Sequence, residues 1–285
     1  MATGPESRFV TVNGIRLHLA DWGGHGPILL LVHGVTGSCR IWDAIAPRLT
    51  GRFHPVAFDL RGRGDSDKPE RGYSIAAHAA DVVGVLDALG IERAPVVGHS
   101  IGGRIGIWVA AHYAHRISHL ISIDGGAPAS PESGEGLRLS HGRVDHTYAS
   151  VEAYLEAMRT MPYWDTWTAE MESYYRFDLL PNPDGTVRHK ISPSTVAEEM
   201  ASLPSLEEQS ALYWKVSCPM LLLHACEGVL VKDKPFLPHS SADLMRQRVK
   251  SFRYVPFGHH SHKTIMFSGA EKVGREIAAF LGDLP

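Results

Sequence analysis

The chain has 285 residues, 44% hydrophobic and 21% charged, and a formal charge of −3. That balance offers no basic field for a phosphate backbone or an anionic membrane, which argues against nucleic-acid and membrane partners. Cys39, Cys218 and Cys226 form neither an even disulfide set nor a metal-ligand spacing, and residues 1–7 lack a basic start leading into an apolar core, so a cytoplasmic protein with reduced thiols is expected.

Residues 8–12 and 15–22 alternate in polarity around Asn13-Gly14, which predicts a hairpin with a type I′ turn. The apolar run 27–32 suits a central parallel strand covered on both faces, yet is too short to cross a bilayer. It leads into His33-Gly34-Val35-Thr36-Gly37, a loop flexible enough to aim a backbone N–H at a site. Ile41, Trp42, Ile45 and Leu49 have helical spacing over residues 38–49. A strand over 53–58 ends in Asp59-Leu60-Arg61-Gly62-Arg63-Gly64-Asp65-Ser66, expected as a surface turn; without a Gly-Lys-Ser/Thr ending it is no phosphate loop. Ser74 caps a predicted helix running to Leu89, with Gly90 as its stop.

A strand over 94–97 then meets Gly98-His99-Ser100-Ile101-Gly102-Gly103 and a helix. Gly-x-Ser-x-Gly between strand and helix is a nucleophile elbow: small neighbours let a sharp turn close and leave the serine oxygen at a helix N-terminus, where free N–H groups favour developing negative charge. Ile101 N–H is one expected donor to an oxyanion and Val35 N–H the other. A strand over 120–123 ends at Asp124-Gly125-Gly126. From 126 to 214 the strand–helix alternation breaks and aromatics accumulate; it resumes with strands over 218–224 and 251–255, and residues 268–281 close the chain as an amphipathic helix. Phe257-Gly258-His259-His260-Ser261-His262 follows the last strand, and its histidines match no zinc spacing, so neither metal nor cofactor is expected.

The ordered set of His33-Gly34, the turn from Arg61 to Ser66, Gly98-His99-Ser100-Ile101-Gly102-Gly103 and Gly258-His259 resembles the α/β-hydrolase superfamily over nearly the whole chain. The resemblance implies an α/β fold with a mostly parallel eight-stranded sheet flanked by helices, a core of residues 1–125 and 215–285, and a helical cap insertion over 126–214. It implies a catalytic triad in which the base follows the last strand and a glycine, which selects His259. Most relatives carry the acid after the seventh strand; here that loop reads Ala225-Cys226-Glu227-Gly228, with no aspartate. Glu227 and Asp124 remain, and Asp124 is preferred because some branches place the acid after the sixth strand, twenty-four residues beyond the nucleophile, as it stands from Ser100. Tyr163 and Trp164 are candidates to line the substrate pocket. Arg138, Arg143, Arg159 and Arg176 could meet a substrate carboxylate, though a solvated helix face is the commoner fate. A serine at position 100 argues against dehalogenase and epoxide-hydrolase branches, which use a carboxylate nucleophile. The expected activity is serine hydrolysis of a small carboxylic ester or lactone; a carbon–carbon or amide hydrolase on the same triad, or a non-catalytic receptor, are the alternatives.

Overall fold

The computed structural model describes residues 4–130, 133, 141–164 and 166–282. The chain opens with strands β1 (Glu6–Val12), β2 (Ile15–Asp21), β3 (Ile28–Val32) and β4 (His54–Phe58), followed by helix α1 (Ile75–Ala88), β5 (Ala94–His99), α2 (Ile101–His112) and β6 (Ile117–Ile123). Between β6 and the return to the sheet lie β7 (Thr147–Tyr148), α3 (Val151–Arg159), α4 (Ala169–Phe177), β8 (Leu179–Pro181), β9 (Val187–His189), α5 (Pro193–Ser202) and α6 (Leu206–Tyr213). β10 (Met220–Glu227), α7 (His239–Arg248), β11 (Phe252–Ser261) and α8 (Ala270–Leu281) complete the described chain.

Eight strands form one sheet in the order β1-β2-β4-β3-β5-β6-β10-β11. Only the β1–β2 and β2–β4 pairs are antiparallel. The first hairpin turns at Asn13 (φ 50°) and Gly14 (φ 79°), the two positive values a type I′ turn requires. The continuous apolar run of β3 divides by alternation: Leu30 and Val32 pack in a layer with Val82 of α1 and Ile105 of α2, whereas Leu29 and Leu31 pack in a layer with Val273 and Ile277 of α8. Period-2 side chains thus feed two helical layers, which is why no polar residue interrupts the strand. Ser74 caps α1 by accepting from Ala77 N at 3.3 Å, and Gly90 ends it at φ 69°.

Three expectations are corrected. Residues 38–49 form not one helix but two short 3-10 turns, Cys39–Trp42 and Ala46–Arg48; Pro47 has no N–H to donate and disfavours α geometry at Ala46. Residues 126–214 are not wholly helical, because β7, β9 and β8 make a 3-stranded antiparallel sheet. The last strand continues to Ser261, since β11 keeps pairing with β10 across an irregularity that sets Ala225 opposite Phe257 and Glu227 opposite Ser261. Among the described residues no helix is long and apolar enough to cross a membrane. The carboxyl ends of β3, β5, β6 and β11 bring His33, Ser100, Asp124 and His262 to one edge of the sheet.

Candidate active site

Ser100 is the single residue between β5 and α2, with φ 58° and ψ −119°. A non-glycine residue in that region is strained. Its N–H donates to Ile123 O at 3.1 Å and its carbonyl accepts from Gly103 N at 3.0 Å. The turn closes because two neighbours lack a Cβ: one on Gly98 would lie 2.2 Å from the Gly102 carbonyl carbon, and one on Gly102 would lie 2.3 Å from Val32 O.

Asp124, at the end of β6, is fully buried and also holds a positive φ of 46°. Its Oδ2 accepts from His262 Nδ1 at 2.7 Å and its Oδ1 from Ala225 N at 3.2 Å. The His262 ring lies between His99 (centroids 4.6 Å apart, 28° between planes) and Phe236 (3.6 Å, 22°). His99 Nε2 also donates to the His262 carbonyl at 3.2 Å. With Nδ1–H committed to Asp124, Nε2 is the free lone pair, and His262 lines the same cavity as Ser100. Burial, reinforced by Lys263 and His141, holds the imidazole well below the ordinary histidine range, while burial pushes the Asp124 carboxyl up.

His259 is not brought to this site. Its side chain is 95% exposed, with Nδ1 3.7 Å from Glu227 Oε1. Because β11 holds two more residues than β10 between their paired positions, the strand turns inward later than Gly258 suggests, and His262 occupies the place beside Asp124. Glu227 faces His259 and Lys232 rather than the cavity histidine.

The loop after β3 is pinned from below: His33 Nδ1 donates to Gly34 O at 2.8 Å and its Nε2 accepts from Leu60 N at 3.0 Å. Arg63 Nε donates to Val35 O at 3.0 Å, and Arg143 donates to both the hydroxyl and the carbonyl of Thr36. The turn from Arg61 to Ser66, expected at the surface, instead buries Arg63 completely. Val35 and Ile101 both line the cavity beside Ser100.

A family model described as alpha/beta hydrolase fold matches residues 27–264. The chain belongs to that family. It is 31% identical over 228 residues to a 2-(acetamidomethylene)succinate hydrolase of Mesorhizobium japonicum, covering 79% of each chain. A crystal structure of E-2-(acetamidomethylene)succinate hydrolase superposes with a TM-score of 0.82 at 25% identity, covering 97% of this chain and 99% of the other. An N-formylmaleamate deformylase of Pseudomonas putida is 38% identical over 130 residues, a match spanning 45% of this chain and 47% of that protein.

In this α/β-hydrolase chain the cavity wall is not the one expected. Tyr163 and Trp164 pack on each other (4.9 Å), and Trp164 on Phe267 (5.6 Å), within an aromatic cluster; Tyr174 lines the cavity. Arg143 is buried against the Thr36 loop, Arg159 and Arg176 pair with Glu172 at the surface, and Arg138 lies outside the described residues. Arg104 and Lys263, absent from the sequence candidates, line the cavity. Arg104 had a signal, standing one helical turn after Ser100. His18, Cys39 and Asp59 approach within 4.8 Å of one another as a metal site would. Asp59 is already occupied by His18 Nδ1 at 2.8 Å, Cys39 N at 2.7 Å and Asp65 N at 3.0 Å. Burial raises the Cys39 thiol well above its ordinary value, away from the thiolate a metal needs.

Proposed function

We propose that this protein is a serine hydrolase of small acyl compounds, with Ser100 as nucleophile, His262 as base and Asp124 as its partner. The observation carrying this reading is the 2.7 Å His262–Asp124 hydrogen bond in the cavity that holds Ser100. His262 Nε2 takes the Ser100 hydroxyl proton as Oγ attacks the acyl carbonyl; the N–H groups of Val35 and Ile101 receive the oxyanion; His262 then protonates the leaving group. Water activated by the same imidazole attacks the acyl-enzyme and frees Ser100. His262 has to be neutral to start, and its burial favours that form. Residues 126–214 serve as a cap that limits water at the site, and the three free cysteines suit a reducing cytoplasm.

Among acyl substrates we favour an acyl–nitrogen bond over a simple ester, because the two named relatives each carry an N-acyl group in the substrate of their names. A fluorophosphonate probe tests the core of the proposal: wild-type protein is expected to label and Ser100→Ala not. A folded wild-type protein that fails to label is a ligand receptor instead. An assay pairing N-formyl and N-acetyl amides with alkyl esters of the same acyl groups then decides the bond; faster turnover of the alkyl esters than of the amides overturns the preference.

A further inference from the structure

Arg104 follows Ser100 by four residues on α2, on the same helical face, and helical side chains lean toward the N-terminus, here toward Ser100. It is 5% exposed and lines the cavity that contains Ser100 and His262. Its hydrogen bonds go to neutral groups: Nε donates to Gln209 Oε1 at 3.1 Å, and one Nη donates to Pro204 O. Among the described residues no carboxylate pairs with it, and none lines the cavity, whereas Lys263 lines it as a second basic side chain. Burial lowers the Arg104 guanidinium to about 10, which leaves it charged at neutral pH. A buried cation without a counter-charge is unfavourable unless something else supplies one.

We propose that the missing counter-charge is the substrate's own: Arg104 receives a carboxylate of an anionic acyl substrate whose reacting carbonyl sits at Ser100. This rests on the serine-hydrolase reading and gives it a substrate class. Four residues of helix rise about 6 Å, so carboxylate and acyl carbon lie only a few bonds apart, which selects compact acids over long-chain ones. The guanidinium is suited to the task because its planar fork matches a carboxylate with two parallel N–H bonds, and its bonds to Gln209 and Pro204 orient it beforehand.

The alternative is that Arg104 only ties residues 204–209 to α2. Binding to Ser100→Ala protein separates the two without needing turnover. Malonate, succinate and glutarate are titrated calorimetrically beside malonamide, succinamide and glutaramide, which keep the skeletons without the charge. At least one diacid is expected to bind tenfold or more tightly than its diamide, and Arg104→Gln in the same background to abolish that preference. Equal affinity within every pair, no binding by any diacid, or a preference that survives Arg104→Gln overturns the proposal. A lowered Tm with the preference intact leaves Arg104 a tie and nothing more. Should Arg104→Gln not fold, Arg104→Lys serves, keeping the charge and losing the fork: the preference is expected to shrink at least threefold, and an unchanged preference counts against the proposal. Failure of fluorophosphonate labelling would strike the hydrolase reading and leave this binding result standing.

Discussion

Glu199 and Arg63 form an ion pair in which neither side chain has any solvent exposure, and His78 approaches the other carboxylate oxygen at 2.6 Å. Glu199 comes from α5, between β6 and β10, and Arg63 carries the contact on to the Val35 carbonyl at 3.0 Å. One carboxylate therefore joins the inserted segment to the loop beside Ser100. Against its burial, Arg63 and His78 hold the Glu199 carboxyl below its usual range.

Glu199→Gln leaves the Arg63 guanidinium buried without its counter-charge. Breaking one side of such a pair costs about 3–5 kcal/mol, so the urea midpoint is expected to fall markedly. With Val35 less firmly placed, kcat should fall roughly ten- to a hundredfold while KM changes less. A variant with wild-type stability and kcat would mean that Val35 is held by other contacts.

His262→Ala is expected to lower kcat by roughly four decades. His259→Ala, whose exposed side chain lies beside Glu227 at the surface, should stay within about twofold of wild type, since a surface pair contributes little. Steady-state kinetics on both variants checks the assignment, and the reverse ranking would restore His259.

Asp124→Asn removes the charge that orients the His262 ring, and a loss of roughly two to four decades in kcat with little change in KM is expected. Glu227→Gln should remain within about tenfold. Folding of Asp124→Asn is confirmed by circular dichroism, because Asp124 also accepts from Ala225 N at 3.2 Å.

Acid should destabilise the fold. Burial lowers the pKa of His33, His78, His99, His189, His224 and His262, and brings His141 to about 4. These rings stay neutral when folded but take up protons in the unfolded chain below about pH 6.5, so their contribution is complete above that pH and is lost as it falls. Asp43 and Asp124, raised by burial to about 6 and about 7, act in the opposite sense and are outnumbered. Calorimetry at pH 7.5 and 5.0 is expected to show Tm lower at the acidic pH by roughly 5 °C or more. An equal or higher Tm at pH 5.0 contradicts this.

The parallel sheet and the elbow were legible because their determinants are local: an apolar run, glycines flanking Ser100, a capping serine at 74. Asp124 was singled out by its offset from Ser100, and the structure sets its carboxylate against a cavity histidine. His262 was not, because its position depends on how many residues β11 spends opposite β10, a property of the pairing that no residue in 257–262 announces. The Arg63–Glu199 pair spans 136 residues of sequence and has no periodicity to betray it. Tyr163 and Trp164 were sensible pocket candidates by composition, but their rings pack on each other, and that of Trp164 on Tyr175 and Phe267, instead.

With the partner of His262 on β6, the segment after β10 has no such group to hold. It is anchored near its start by Gly228 N to Lys232 O at 3.0 Å, and at its far end by Ser130, whose N–H reaches Phe236 O at 2.8 Å and whose hydroxyl reaches Pro235 O at 3.0 Å. Between these anchors Val229 contributes to the cavity wall. The side chain at Val229 can accordingly be exchanged while the backbone bond from Gly228 to Lys232 and the places of Ser100, Asp124 and His262 are kept. A descendant of this chain could acquire a different appetite there through a single side chain, with the arrangement of Ser100, Asp124 and His262 inherited intact.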